Sequence, residues 1–453
     1  MPAKFLPREI RKYFLMPKRQ RKYELRMSLW RVPLIYVIAA IVLAITTLFI
    51  DLGLNIALPT GFIVFSFSTT QLLVSTLIGS LLLLAAYTLN ILLVVLTTFS
   101  GQFSPRMLQD FVSTRQLQNF VGVFNGSFVY VLVILLFMNN FQQEEFVLVP
   151  LTTVLVMFIA AINFLFFINH AIYWMQVHNV TGNMRKISED IIRKSLTEDM
   201  EKLKTEHPGD LKEEYRQQEK TVKAADAGYI QLVDFPGIVE KARNDDIVIA
   251  LHKRIGDFIL SGNSLFSYWG PGADKVDEEA YKHFILFGNK ETEIQDNYAA
   301  MSKLAEIAIK AMANGDPRSA INAIYQLAYL MQTIDEYITF TPYLADEDEQ
   351  VRIITREQRF EESLYRGFGL IRHYAKGDLP IIVEIVSALQ MLAQSSESVR
   401  HTDIWRFVEN TVENVPEAII YDIDKRLLLG KLETLAKVTG NEERFDNLKK
   451  AIE

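Results

Sequence analysis

The sequence contains no cysteine, which excludes disulfides, thiolate metal sites and any Cys-His nucleophile. Its seven histidines are scattered, with no H-E-x-x-H and no His-x-His pair to hold a metal. There is no G-x-x-x-x-G-K-[ST] phosphate loop, no G-x-G-x-x-G after a strand and no G-x-S-x-G elbow. No Asp, Glu, Lys or Arg lies in the middle of a long apolar run, which argues against a carboxylate proton relay and against a voltage sensor. No small-residue cleavage site follows the first apolar run closely, so a cleavable signal is not expected. Together these absences point away from an enzyme and give no cofactor and no metal.

What is present is unevenly distributed. At 453 residues the chain is long enough for two or three domains. Almost all long apolar runs precede Trp174, and the remainder reads as charged and mainly helical. Residues 1–31 carry ten basic side chains, from Lys4 to Arg31, against only Glu9 and Glu24, although the whole chain has a net charge of −7. Directly before an apolar run, such a segment sets topology and attracts anionic lipid rather than nucleic acid.

Four spans are expected, at about 33–50, 72–99, 121–138 and 146–174. The first loop, 51–71, has no Lys or Arg, and neither does the NNFQQEE segment between spans three and four. Arg106 and Arg115 lie between spans two and three, and Arg185 and Lys186 follow span four. By the positive-inside rule both termini are cytoplasmic, in a multi-pass membrane protein. The outer loop 53–70 is apolar but interrupted by Pro59 and Gly61. It reads as a hydrophobic lid, with a re-entrant pore lining as the alternative.

Between spans two and three stands VVLTTFSGQFSPRMLQDFVSTRQLQNFVGVFNGSF, Val94 to Phe128. Ser104 is a good N-cap and Pro105 a good first helical residue, and Met107, Leu108, Phe111 and Val112 form one apolar stripe. Arg106 opposes the helix dipole and calls for an anionic partner or a lipid phosphate. The segment predicts an elbow at the membrane surface.

FSGQFSPRMLQDF followed by a glycine-bearing helix resembles the hallmark of a bacterial family of predicted membrane proteins, catalogued as domain of unknown function number twenty-two fifty-four. The segments GYIQLVD and RIGDFILSGNSL are similar to the same family. A second hallmark is matched by Gln295-Asp296, Leu304, Ile307-Ala308, Ala311, Asp316-Pro317 and Ala320. There the chain departs from the family pattern, with Glu291 where the pattern has an arginine and with a shorter stretch before Asp316. The resemblance implies the architecture and a place in the bacterial inner membrane, and brings no established activity. Asp316 also serves simply as the cap of a helix beginning at Pro317.

Two further features rise above background. Gly122 and Gly126 have the spacing that lets membrane helices approach closely, within one subunit or between subunits. Asn90, Asn125, Asn163, Asn169 and His170 are polar groups inside the spans and need partners there. Asn125, between the two glycines, could face a neighbouring helix or a pore.

The expected organisation is a basic cytoplasmic segment at 1–31, a four-helix transmembrane domain at 32–177 and a charged helical extension and linker at 178–225. A small β module at 226–270 and a helical cytoplasmic domain at 271–453 follow. The extension is read as a continuation of span four, jointed at Gly182, whose apolar stripe (Met184, Ile187, Ile191, Leu196, Met200, Leu203) needs a partner surface. The G-D-F…S-G-N pattern at 256–263 resembles the hairpin of lipoyl-type domains, but no lysine stands at its tip, so the module is read as structural. Beyond it, helices are expected at about 295–313, 317–333, 356–374, 380–394 and 402–439, with the acidic tract Asp346 to Glu349 as a solvated loop.

The fold class is thus membrane α-helical with a cytoplasmic α+β region. Its expected partners are the lipid bilayer, further copies of itself, an ion or small solute, and a cytoplasmic protein. The functional expectation is a homo-oligomeric channel or pore gated through the cytoplasmic domain, with a membrane-anchored scaffold or sensor as the alternative.

Overall fold

The structure is a computed structural model, and the residues it describes are 30–53, 64–102, 107, 111–138, 145–196, 200–292, 295–413, 415 and 421–452. The chain divides into two compact units, Met1–Gln176 and Val177–Glu453.

The first unit contains four helices long and apolar enough to cross a membrane. They are α1 (Arg31–Gly53), α2 (Phe67–Gln102), α3 (Arg115–Met138) and α4 (Leu148–Met175). Each exceeds the roughly 20 residues needed for the hydrocarbon core. Their outward faces remain apolar, with Leu83, Leu93, Phe158 and Phe166 exposed. Water would penalise such surfaces, whereas lipid does not. Inside, Ala44, Leu48, Val74, Leu81, Tyr130, Ile134 and Ala160 pack into one apolar core.

All four expected spans are present, each longer than expected except the last, which begins two residues later. The basic segment is described only at its end, Trp30 and Arg31, and 54–63 of the apolar outer loop lie outside the described residues. The loop's described end forms β1 (Phe65–Ser66), antiparallel to β2 (Glu145–Phe146) in the connection between α3 and α4.

The second unit opens with α5 (Val177–Asp190) and a wider helical turn at Ile191–Leu196. The joint expected at Gly182 stands instead at Gln176, whose backbone is extended between α4 and α5. Strands follow as β3 (Lys204–Thr205), β4 (Lys220–Lys223) and β5 (Gly228–Val233), then α6 (Phe235–Asn244). Next come β6 (Val248–Leu251), β7 (Phe258–Ile259), β8 (Ser264–Trp269) and β9 (Ile285–Gly288). The rest comprises α7 (Asn297–Ala313), α8 (Pro317–Tyr337), β10 (Tyr343–Ala345), β11 (Val351–Ile354), α9 (360–374), α10 (Leu379–Ser395), α11 (His401–Val412), α12 (Asp422–Thr439) and α13 (Glu442–Ile452).

The β module expected at 226–270 is not self-contained. Its strands divide between a six-stranded sheet of order β3-β10-β11-β6-β8-β4 and a three-stranded sheet of order β7-β5-β9. Short strands leave edges of unpaired backbone, and these are satisfied by recruiting strands from 204–223 and 285–354. The hairpin suggested by 256–263 does not form, since β7 pairs with β5 whereas β8 lies between β6 and β4.

The acidic tract forms the turn from β10 to β11, and Glu347, Asp348 and Glu349 are exposed there as a solvated loop expects. Asp346 is buried and accepts from Arg352 Nε at 2.7 Å. The single helix expected over 402–439 is two, α11 and α12, with Pro416 in the sequence between them, a residue that interrupts helical hydrogen bonding.

Three helices start with the same device. Asp234, Asp316 and Asp378 accept from the backbone N–H of Gly237, Ser319 and Ile381, each with a proline at the first or second helical position. The apolar stripe of α5 finds its partner within this unit. Val180 and Met184 are buried, Thr181 Oγ1 donates to Asn322 Oδ1 at 2.6 Å, and the Arg185 guanidinium lies 4.4 Å from the centre of the Tyr329 ring.

Candidate functional sites

In the first unit the two glycines serve contacts within the chain. A Cβ on Gly122 would stand 2.5 Å from Cδ2 of Tyr36 on α1, and one on Gly126 would stand 3.1 Å from the Tyr36 carbonyl oxygen. Both glycines are buried, so the small-residue pair sets the approach of α3 to α1. Asn125, one residue from Gly126 and so turned about a quarter of the helix away, is exposed. Asn90 and Asn169 are exposed as well, and none of the three has a hydrogen-bond partner among the described residues. Asn163 differs, since its Nδ2 donates to the Phe120 carbonyl at 3.1 Å.

Other polar contacts across the spans carry no local sequence signal. The Asp51 carboxylate, at the end of α1, accepts from the backbone N–H of Leu148 at 3.0 Å and of Val149 at 2.8 Å. It therefore satisfies two donors of the α4 N-terminus with negative charge at the positive end of the dipole. Asp51→Ala is expected to cost about 1–3 kcal/mol, read as an earlier thermal unfolding of the detergent-solubilised chain. Tyr130 also bonds Thr152, tying α3 to α4, with Thr47 of α1 at 3.4 Å from the same hydroxyl.

The elbow residues Ser104, Pro105 and Arg106 lie outside the described residues. Of the stripe that follows them, Met107 and Phe111 are fully buried and Val112 is half-buried, while Leu108 lies outside the described residues. Phe111 stacks on Phe99 at 5.5 Å and sits 5.4 Å from Trp174, which anchors the elbow to the ends of α2 and α4.

In the second unit, Gln295 and Asp296 come together at a cavity of about 50 Å³. Gln295 replaces a backbone pair, its Oε1 accepting from Val233 N at 2.9 Å and its Nε2 donating to Val233 O at 3.1 Å. The end of β5 is thereby held against the start of α7. Asp296 caps α7 by accepting from Tyr298 N at 2.9 Å, yet it is only 7 % exposed. Burial is the main influence on its carboxyl and pushes it up to about 7, against the cap hydrogen bond and the nearby Arg366 charge. The turn at Gly256 closes over it. That residue has φ +87°, and a Cβ there would stand 2.3 Å from Asp296 Oδ2, so glycine is required on both counts.

Four cations line the same cavity: Lys204, Lys253, Arg254 and Arg356. They come from three separate stretches of chain, which is why sequence reading missed them. Lys204 is paired with Glu201 at 2.6 Å and Arg254 with Glu362 at 2.5 Å. Asp316 and Pro317 do not line the cavity. Asp316 accepts from Ser319 N at 3.1 Å as the cap of α8.

Residues 26–391 match the family model described as "Predicted membrane protein (DUF2254)". Curated relatives include uncharacterized proteins of Mycobacterium bovis and Mycobacterium tuberculosis, each 21% identical over 313 residues. The alignments cover 65% of this chain and 58% of each relative, so the chain spans less than two thirds of their length. No solved structure matches. With four apolar helices followed by a mixed helix and sheet region, and with a family match over most of its length, the chain belongs to the DUF2254 family of predicted membrane proteins.

Proposed function

We propose that this protein is a homo-oligomeric channel or pore of the bacterial inner membrane, its path for an ion or small solute lying between copies. In this reading both termini lie in the cytoplasm, the second unit gates the path, and no catalytic turnover is assigned. The observation that carries the reading is Asn125. It sits near the middle of α3, exposed and without a partner among the described residues, in a segment where an unpaired amide facing lipid is costly. A second copy or a water-filled path removes that cost. The interior of one four-helix unit is packed with apolar side chains, so a conducting path requires more than one copy.

The test is planar-bilayer recording on the reconstituted full-length protein, alongside its mass in detergent. Discrete current steps and a defined oligomer are expected. Asn125→Leu is expected to change the conductance or the oligomer while leaving the thermal unfolding midpoint within a few degrees of the parent. A strict monomer overturns the proposal. A silent bilayer with inserted, folded protein favours the second reading, a membrane-anchored scaffold or sensor whose second unit binds a protein partner. That alternative draws on the cation-lined cavity beside Asp296.

A further inference from the structure

We propose that the cavity beside Asp296 binds a phosphate group, free or carried on a small molecule. Its size comes first. At about 50 Å³ it exceeds the roughly 10–15 Å³ that a single water needs, which leaves room for a small polyatomic anion.

Charge comes second. Lys204, Lys253, Arg254 and Arg356 line the cavity against the single carboxyl of Asp296. Lys204 and Arg254 already have carboxylate partners, but Lys253 and Arg356 form no ion pair among the described residues. Two uncompensated cations match a phosphate dianion better than a singly charged carboxylate.

The third observation is a buried donor with nothing to donate to. Arg254 has a side chain only 9 % exposed. Its Nη1 donates to Glu362 and its Nη2 to the Glu357 carbonyl, while its Nε, also buried, has no acceptor among the described residues. An unmet buried guanidinium N–H is costly, and this one belongs to a residue that lines the cavity.

The site is independent of the pore reading, and a silent bilayer leaves it standing. The experiment is isothermal titration calorimetry of the full-length protein in detergent. Inorganic phosphate forms one arm and glycerol 3-phosphate the other, against sodium chloride at matched ionic strength. Saturable phosphate binding is expected, weakened at least about tenfold by Arg254→Gln and several-fold by Arg356→Gln. Arg356 is exposed, so its substitution tests the site even if Arg254→Gln disturbs folding. Tighter binding of glycerol 3-phosphate than of phosphate assigns the site to a phosphorylated small molecule, and the reverse assigns it to the free ion. No saturable heat in either arm overturns the proposal, and so does binding that both substitutions leave unchanged.

Discussion

Asp296→Asn is expected to stabilise the chain at pH 8 relative to the parent, and the advantage should shrink as the pH falls towards 4. The sign follows from the direction of the shift. Burial raises the carboxyl from 3.8 to about 7 in the folded chain, whereas in the unfolded chain it ionises in the ordinary range. Between those values the folded state holds the proton that the unfolded state has lost, so stability falls as pH rises through the window and levels off above it. Three units correspond to about 4 kcal/mol across the full interval. Asparagine caps a helix as well as aspartate does, so the hydrogen bond from Tyr298 N survives the substitution.

Other charges near Asp296 are Arg366 and Glu291, together with the cavity cations Lys204, Lys253, Arg254 and Arg356. The comparison of variant with parent at each pH cancels the titration of groups elsewhere. Thermal unfolding in phosphate-free detergent solution should show the gap widening by about 3–4 kcal/mol between pH 4 and pH 8. A constant gap, or a variant weaker at both extremes, would mean that the surrounding cations keep the carboxylate charged.

How far the sequence reveals this molecule depends on the range of the interaction involved. Spans are dictated by uninterrupted apolar runs, and so 33–50 and 121–138 fall inside α1 and α3 as observed. Helix starts of the Asp-Pro kind are equally local, and the cap at Asp316 is where the sequence places it. Strand pairing is not local. Tyr343–Ala345 and Val351–Ile354 are too short to stand out beside an acidic turn, and only the partner strands Lys204–Thr205 and Val248–Leu251 make them a sheet.

The same limit applies to the site. Gln295 and Asp296 were visible as a motif, but the cations around them converge only through the fold. Asp51 was not singled out, because nothing near it in sequence names Leu148 and Val149 as its donors.

Gly126→Leu is expected to destabilise the first unit strongly, and the reason separates it from Gly122→Leu. Both glycines face Tyr36, but a side chain at Gly122 meets the tyrosine ring, which can swing aside, whereas one at Gly126 meets the Tyr36 carbonyl. Backbone cannot yield without moving the helix, so α1 must separate from α3 and expose part of the core around Ala44, Leu48 and Tyr130. The expected loss is about 3 kcal/mol or more for Gly126→Leu and less for Gly122→Leu, read as successive drops in the unfolding midpoint in detergent. Asn125→Leu, on the exposed side of α3, should leave that midpoint nearly unchanged while altering the oligomer. This contrast distinguishes the two faces of one helix. If Gly126→Leu instead left the fold intact and abolished only the oligomer, the glycine pair would belong to a contact between copies, and the close approach of α1 to α3 would not be what holds the unit together.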